Sequence, residues 1–253
     1  IGSYINTGLF YDIINTKIFW DIFNIDSIGV YRFAAFSLNY LFLFLVIILT
    51  YKISSILNLS KNLENLFFII ITIFCIYFYL IKSYNFPNYR DIFTIIFLIC
   101  LIGTLKSNKY KFLNYFIIGS LSISSLLWSL DRGIFLNATI IILLFFLFFK
   151  GKYKDLFSIL ISAIIFWIIF LFSVGHGEFR EFIYNSFNIL RYNEIWNGLI
   201  HPQPFSDEKN STRATKALIL YVINGIFIIK YFIKRNNKLN FNSKLLLGFI
   251  YLL

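Results

Sequence analysis

Residues 112–149 decide the fold, and they read FLNYFIIGSLSISSLLWSL, then DRG, then IFLNATIIILLFFLFF. Two apolar runs, each about long enough to cross a bilayer, are separated by this short polar segment. Asp131 and Arg132 are charged, and a charge at the centre of a membrane helix costs at least ~2.5 kcal/mol. The sequence therefore predicts a helical hairpin whose turn lies at a membrane surface, with Gly133 providing the backbone freedom that the turn needs.

The composition extends this interpretation to the whole chain of 253 residues, which is 59% hydrophobic with a mean hydropathy of +0.76. Soluble domains average about 45–50% apolar residues. We predict an all-α fold, a polytopic integral membrane bundle of about seven to eight transmembrane helices with interfacial helices on the outer face. The chain has no methionine and stops inside an apolar run, so we expect a fragment that lacks terminal spans. The predicted spans are approximately 33–51, 63–81, 92–105, 112–130, 134–149, 156–174 and 217–233, with another starting at 244.

The loops between these spans alternate in charge. One set holds all but two of the 12 acidic residues, which balance its basic residues, and the other set carries the whole formal net charge of +11. By the positive-inside rule, the lysine-rich loops are cytoplasmic and the balanced loops are outside. We therefore predict a multi-pass protein of the inner (plasma) membrane with a periplasmic or extracytoplasmic active face. The lipid bilayer is its expected partner, and nucleic acid is not.

The predicted organisation is a single transmembrane domain over residues 1–253. Residues 1–32 form its first outer loop, and residues 175–216 form a long outer loop. Apolar side chains recur with helical spacing in the first part of that long loop, whereas Pro202 and Pro204 exclude a helix further on. We expect an amphipathic helix on the membrane surface that ends near Gly198.

The first outer loop carries three candidate catalytic residues, Asp12, Asp21 and Asp26. A carboxylate near a membrane surface can act as a general base where apolar surroundings or a neighbour adjust its pKa. The alternative for each aspartate is that it only solvates an interfacial segment.

Two Arg–Asp pairs in later outer loops are candidate substrate-binding residues. Arg90 and Asp91 stand before one span, and Asp131 and Arg132 stand before another. Arginine makes bidentate contacts with phosphate, so two such pairs on one face favour a shared anionic ligand. The alternative is an ion pair at each helix end, worth ~0–1 kcal/mol when exposed.

His176 and Glu178 complete the candidate substrate-binding set, where a span leaves the membrane in the sequence GHGE. His176 is a candidate proton carrier or phosphate contact. No zinc-ligand spacing is present, so we predict no metal site and no cofactor.

Residues 5–33 read INTGLFYDIINTKIFWDIFNIDSIGVYRF, and this loop resembles the first outer loop of bacterial polytopic GT-C-type glycosyltransferases. Gly8 with its aromatic residues, the Phe19-Trp20-Asp21 run and the turn at Gly29 carry the resemblance. The segments FPNYRD and WSLDRG are similar to the polar starts of later spans in that family. Where the family usually has an acid before the glycine, this chain has Asn6 and Thr7.

The resemblance implies an inverting transfer of a sugar from a polyprenyl-phosphate donor to a glycan or lipid acceptor of the cell envelope. A first-loop acid would act as the base, and cationic side chains would hold the lipid phosphate. Asp21 is the first candidate base, followed by Asp12 and Asp26, and Arg90 and Arg132 are the candidate phosphate contacts. Because the acid that the family usually has before the glycine is missing before Gly8, an inactive or differently specialised homologue is an alternative.

Two other functions fit many spans with a long outer loop. A surface polysaccharide polymerase or ligase predicts that Arg180, Arg191 and His201 matter more than the first-loop aspartates. A non-enzymatic transporter predicts that no single outer charge is essential.

Overall fold

The structure is a computed structural model that describes residues 15–24, 27–55, 60–77, 88–106, 109–191, 203–207, 211–233 and the single residue 248. Within these segments all regular secondary structure is helical, which confirms the all-α class. A 3₁₀ turn over Asn88–Asp91 leads directly into the fourth helix. The helices are α1 (Asn15–Phe23), α2 (Ile28–Ser54), α3 (Lys61–Tyr77), α4 (Ile92–Lys106), α5 (Lys111–Trp128), α6 (Leu130–Phe149), α7 (Tyr153–Val174), α8 (His176–Arg191) and α9 (Ser211–Ile233).

Each of the seven complete predicted spans overlaps one of these helices, while residues 78–81 of the second span and residue 244, where another span is predicted to start, lie outside the described residues. Three of the described helices are long and apolar enough to cross a membrane by length and composition, namely Ser37–Ser54 within α2, α6 and α7. The predicted number of seven to eight spans is thus not reached in the described part of the chain. One reason is length, because α4 has 15 residues and rises only about 22 Å, against ~30 Å of hydrocarbon.

The chain divides into two compact units, Ile1–Phe179 with Leu253, and Arg180–Leu252. The amphipathic helix predicted within residues 175–216 corresponds to α8, which has the apolar Phe182 and Ile183 half-buried and Arg180 and Glu181 exposed. Its predicted end near Gly198 lies outside the described residues. The single transmembrane domain predicted for residues 1–253 stays a prediction.

The first unit is a bundle in which neighbouring contacts fix the direction of each helix. In the α4–α5 pair, Gly103 lies against Asn114, and the Phe93 and Trp128 rings are 5.6 Å apart, so these two helices are antiparallel. The hydroxyl of Ser158 donates to the carbonyl of Phe112 at 3.4 Å, and one turn later the hydroxyl of Ser162 donates to the carbonyl of Phe116 at 2.5 Å. Helices α5 and α7 therefore run parallel. Leu38 and Phe42 of α2 share a buried cluster with Tyr89, Ile92 and Ile95.

These directions place chemically different groups at the two ends of the first unit. The starts of α4 and α6 and the ends of α5 and α7 share one end, which carries the Arg–Asp pairs. The opposite end carries lysines, among them Lys111, whose ammonium lies 2.5 Å from the Asp155 carboxylate. The charge difference that the loops show in the sequence therefore becomes a difference between the two ends of one bundle.

The α5–α6 hairpin forms, but its turn differs from the predicted one. A single non-helical residue, Ser129, connects the helices in an extended conformation (φ −154°, ψ 114°), and Asp131, Arg132 and Gly133 belong to the first turn of α6. Gly133 does not provide turn flexibility. It lets α6 approach α5, because a Cβ at Gly133 would lie 2.6 Å from the backbone of Leu126.

Candidate functional site

The two Arg–Asp pairs meet and exchange partners. Arg90 Nη2 lies 2.9 Å from Asp131 Oδ1, and Arg132 Nε lies 3.1 Å from Asp91 Oδ1. Each arginine thus bonds the aspartate of the other segment. We call these four residues the crossed cluster. Their formal charges cancel, and all four side chains are partly exposed at one end of the first unit.

Two neighbouring residues that sequence reasoning missed hold the crossed cluster together. The fully buried Ser129 hydroxyl donates to Asp131 Oδ1 at 2.6 Å and accepts from Arg90 Nε at 3.3 Å. The Trp128 indole donates to the carbonyl of Tyr89 at 3.0 Å. The only signal in the sequence was that Trp128 and Ser129 precede the charged segment, which is too common a pattern to identify them.

The two halves of the crossed cluster differ in how firmly they are bonded. Asp131 accepts from Arg90, from Ser129 and from the backbone N–H of Arg132. Asp91 has only Arg132 as a bonded partner among the described residues. Burial raises the pKa of Asp91 above its ordinary value of 3.8, and the nearby Asp131 acts in the same direction, while Arg132 and Arg90 oppose them.

Arg132 retains unused hydrogen-bonding capacity. Its side chain is 47% exposed, and its ion pair with Asp91 is recorded at Nε, 3.1 Å from Oδ1. Among the residues that the structure describes, no partner contacts its two terminal nitrogens. These nitrogens form the planar fork that binds two oxygens of a phosphate or carboxylate. Arg132 is therefore the member of the crossed cluster best suited to an external oxyanion.

An apolar stripe continues along α6 from Arg132. Residues spaced three or four apart share one face of a helix, and the large side chains that follow Arg132 at this spacing are exposed. A phosphate at Arg132 would thus lie at the head of an apolar surface about 21 Å long, at ~1.5 Å per residue. The stripe consists of Phe135, Ile142, Phe145 and Phe149.

The first-loop aspartates are not brought to the crossed cluster by any described contact. Asp21 lies on α1, is exposed and pairs with Lys17 at 3.3 Å, one helical turn away. Its role as the base stays a prediction. The other two candidates, Asp12 and Asp26, lie outside the described residues.

His176 and Glu178 lie in the first turn of α8, just beyond the end of α7. Gly175 makes this turn with a φ of +83°, a value that favours glycine. Phe179 then packs against Trp167 and Phe170 of α7. This places both residues at the same end of the first unit as the crossed cluster.

No metal centre is evident in the described segments, where no group of three or more His, Cys, Asp or Glu residues is arranged to hold an ion. No protein-family profile, curated protein sequence or solved structure matches the chain. The chemistry of the site is therefore argued from its own residues.

Proposed function

We propose that the protein is a membrane glycosyltransferase, similar to the GT-C type, that uses a polyprenyl-phosphate sugar as donor. It acts in the plasma membrane, with the crossed cluster on the extracytoplasmic face, and transfers the sugar to a glycan or lipid of the envelope. The observation that carries the proposal is Arg132, a half-exposed guanidinium whose terminal nitrogens have no hydrogen-bond partner among the described residues and which lies above an exposed apolar stripe.

The donor's chemistry fits this arrangement. A polyprenyl-phosphate sugar combines a negatively charged phosphate with a long hydrocarbon tail. Arg132 offers a charge-assisted, bidentate contact to the phosphate, and the α6 stripe from Phe135 to Phe149 offers an apolar surface to the tail. Arg90 is bonded to both Asp131 and Ser129, so it positions the crossed cluster while Arg132 meets the ligand.

The proposal assigns the base to the first outer loop, with Asp21 as the residue to test. Its carboxylate is 65% exposed and, in the described part of the chain, is paired only with the exposed Lys17 side chain, so an acceptor hydroxyl can reach it. In an inverting transfer the base removes the proton of the acceptor hydroxyl as the sugar leaves the phosphate.

Native mass spectrometry of the gently extracted full-length protein tests the phosphate site. We expect a co-purified polyprenyl-phosphate species that Arg132→Ala loses. Arg213→Ala is the matched control, because Arg213 is an exposed arginine on α9, outside the crossed cluster, and it should retain the lipid. Equal retention in both variants, or bulk phospholipid alone, would remove Arg132 as a donor contact. Loss caused by Arg180→Ala instead would favour the polymerase or ligase.

The apolar stripe is tested with two phenylalanines of matched exposure. Phe135 is 60% exposed and lies on the stripe, whereas Phe157 is 57% exposed on α7. Phe135→Gln should reduce the amount of co-purified polyprenyl lipid several-fold, and Phe157→Gln should leave it unchanged. A loss of the same size in both variants would show that the lipid is held by general membrane contact.

A further inference from the structure

We infer that the turn between α6 and α7 is a binding site for the headgroups of anionic phospholipids. The site comprises residues 148–154, and we call it the lysine turn. Both helices that it joins are long and apolar enough to cross a membrane, so in a bilayer the turn lies at the membrane surface. It is at the opposite end of the first unit from the crossed cluster, and the inference therefore does not rest on the proposed function.

A Schellman motif at the end of α6 fixes the backbone of the lysine turn. The N–H of Gly151 donates to the carbonyl of Phe148, and the N–H of Lys152 donates to the carbonyl of Leu147, each at 3.0 Å. Gly151 has a φ of +66°, the left-handed conformation that this motif needs. No described atom lies within 4 Å of a Cβ added at Gly151, so the space beside the turn is open. The lysines on either side of Gly151 thus start from a defined backbone and face open space.

The lysine turn is positively charged. It contains three lysines and no acid, and Lys150, Lys152 and Lys154 are all exposed. The next residue after the turn, Asp155, forms an ion pair with Lys111 at the start of α5. Because Lys111 already balances the charge of Asp155, that carboxylate does not cancel the charge of the turn. The turn therefore attracts an anionic partner.

Exposed aromatic rings accompany these lysines. Phe149 is 81% exposed, and Phe148 and Tyr153 are exposed as well. The Phe148 ring makes edge contacts with the other two, at centroid distances of 5.8 Å to Phe149 and 6.0 Å to Tyr153. Aromatic rings favour the headgroup level of a bilayer, and lysines there keep their stems on apolar surface while the ammonium reaches polar groups. The combination fits a phosphate that carries hydrocarbon chains better than it fits a free phosphate.

The start of α5 extends the same surface. The Ser158 hydroxyl of α7 donates to the Phe112 carbonyl at 3.4 Å, which places the start of α5 beside the start of α7. Lys109 and Tyr110 are exposed there, with the ammonium 5.2 Å from the centre of the ring. Lysines and aromatic rings thus occur together on two neighbouring segments, whereas the arginines of the crossed cluster are paired with aspartates.

Native mass spectrometry of the detergent-extracted full-length protein, titrated with lipid, tests the inference. Two phospholipids with identical acyl chains are compared, the anionic phosphatidylglycerol and the zwitterionic phosphatidylcholine. Each lysine near an anionic surface contributes roughly a fivefold preference. We therefore expect the unaltered protein to bind phosphatidylglycerol at least about tenfold more tightly. Equal affinities for the two lipids would overturn the inference, and this comparison does not depend on any variant folding.

A triple variant localises the preference. Replacing the three lysines of the lysine turn with glutamine should weaken phosphatidylglycerol binding at least about tenfold and leave phosphatidylcholine binding nearly unchanged. A control variant lowers the net charge by the same three units at exposed positions outside the turn, and it should keep the preference. Equal losses in the two triple variants would show that net charge alone attracts the lipid, which would overturn the inference. The control combines Lys17→Gln, Arg213→Gln and Lys216→Gln.

Two phenylalanines of matched exposure test the aromatic part of the site. Phe149→Ala should weaken the binding of both phospholipids several-fold and leave the headgroup preference intact, because the ring contacts the hydrocarbon next to the headgroup. Phe172 is 82% exposed near the other end of α7, and Phe172→Ala should leave the binding of both lipids unchanged. Equal effects of the two substitutions would contradict the site at the lysine turn.

Two further measurements separate this site from a free-phosphate site and from the crossed cluster. Glycerol 3-phosphate at millimolar concentration should not displace phosphatidylglycerol, and displacement would overturn a lipid as the occupant. Arg132→Ala should keep the phosphatidylglycerol preference, whatever its effect on polyprenyl phosphate, and loss of the preference in Arg132→Ala would overturn the lysine turn as the site. Failure of the proposed function and failure of this inference are therefore distinguishable.

Discussion

The indole Nε1 of Trp128 donates a hydrogen bond of 3.0 Å to the backbone carbonyl of Tyr89, 39 residues earlier in the chain. Tyr89 adjoins Arg90, and Trp128 adjoins Ser129. This one bond therefore joins the two segments that carry the crossed cluster, next to the ion pairs, and it helps to fix how the two segments are aligned.

Trp128→Phe removes that bond while keeping an aromatic ring near Phe93. We expect a loss of about 1 kcal/mol in the free energy of unfolding, because the carbonyl of Tyr89 loses its donor. We also expect weaker retention of polyprenyl phosphate, because the crossed cluster loses its alignment. Thermal unfolding in detergent and native mass spectrometry measure the two effects.

Trp167→Phe is the control for this prediction. Trp167 donates to the Ser122 hydroxyl at 3.1 Å, a bond of the same kind elsewhere in the bundle. It should cost similar stability and leave lipid retention unchanged. If both variants lose the lipid equally, the bond to Tyr89 has no particular effect on the site.

Asp21→Asn should abolish sugar transfer, with a loss of at least ~100-fold in kcat, because general base catalysis typically contributes that much. Substrate binding should change little, since the phosphate contacts lie elsewhere. Lys17→Gln removes the same ion pair and keeps the carboxylate. It should retain most activity in a transfer assay with a polyprenyl-phosphate sugar. Full activity in Asp21→Asn would exclude Asp21 as the base.

Gly119→Ala should destabilise the bundle by about 1–3 kcal/mol, as overpacking does in a well-packed core. An added Cβ would collide with the backbone carbonyl of Ile159 and would lie 2.8 Å from Ser162 Cβ. Because the obstacle includes backbone, helices α5 and α7 would have to separate. Thermal unfolding in detergent measures the change.

Gly177→Ala provides the contrast, because nothing lies within 4 Å of a Cβ at that position in α8. Alanine is favoured over glycine within a helix, so stability should stay constant or rise slightly. Equal losses in the two variants would contradict the close approach of α5 and α7.

The stability of the protein should depend on pH through Asp91. Burial raises the pKa of this carboxyl above 3.8, so between 3.8 and the raised value the folded state binds more protons than the unfolded state. The contribution of Asp91 to the free energy of unfolding must then fall as the pH rises through this window. The difference between the unaltered protein and Asp91→Asn isolates it from other titrating groups. A contribution that grows with pH would mean that Arg132 outweighs burial.

The sequence alone predicted the helices, because a long apolar run such as residues 134–149 can be recognised without knowing what it packs against. It also placed Arg90 and Arg132 on one face, since loops separated by an even number of helices return to the same side. The sequence could not predict that the two Arg–Asp pairs exchange partners. Residues 41 positions apart, such as Arg90 and Asp131, meet only because α4 and α6 both pack on α5.

Gly133 shows a different limit. A glycine beside charged residues suggests a flexible turn, but the same residue also permits close packing of helices. Only the position of Leu126 distinguishes the two roles. The buried Ser129 was missed for a similar reason, because a serine's bonding partners depend on distant segments.

The one-residue connection at Ser129 bears on how such a chain would enter a bilayer during synthesis. In the proposed membrane topology, α5 and α6 would enter as a pair and their tip would be translocated with them, because only Ser129 separates the two helices. The charged side chains of that tip, Asp131 and Arg132, sum to zero, which lowers the barrier to carrying them through hydrocarbon. In the same topology, the lysines at the opposite ends would stay on the cytoplasmic side and set the orientation of the pair.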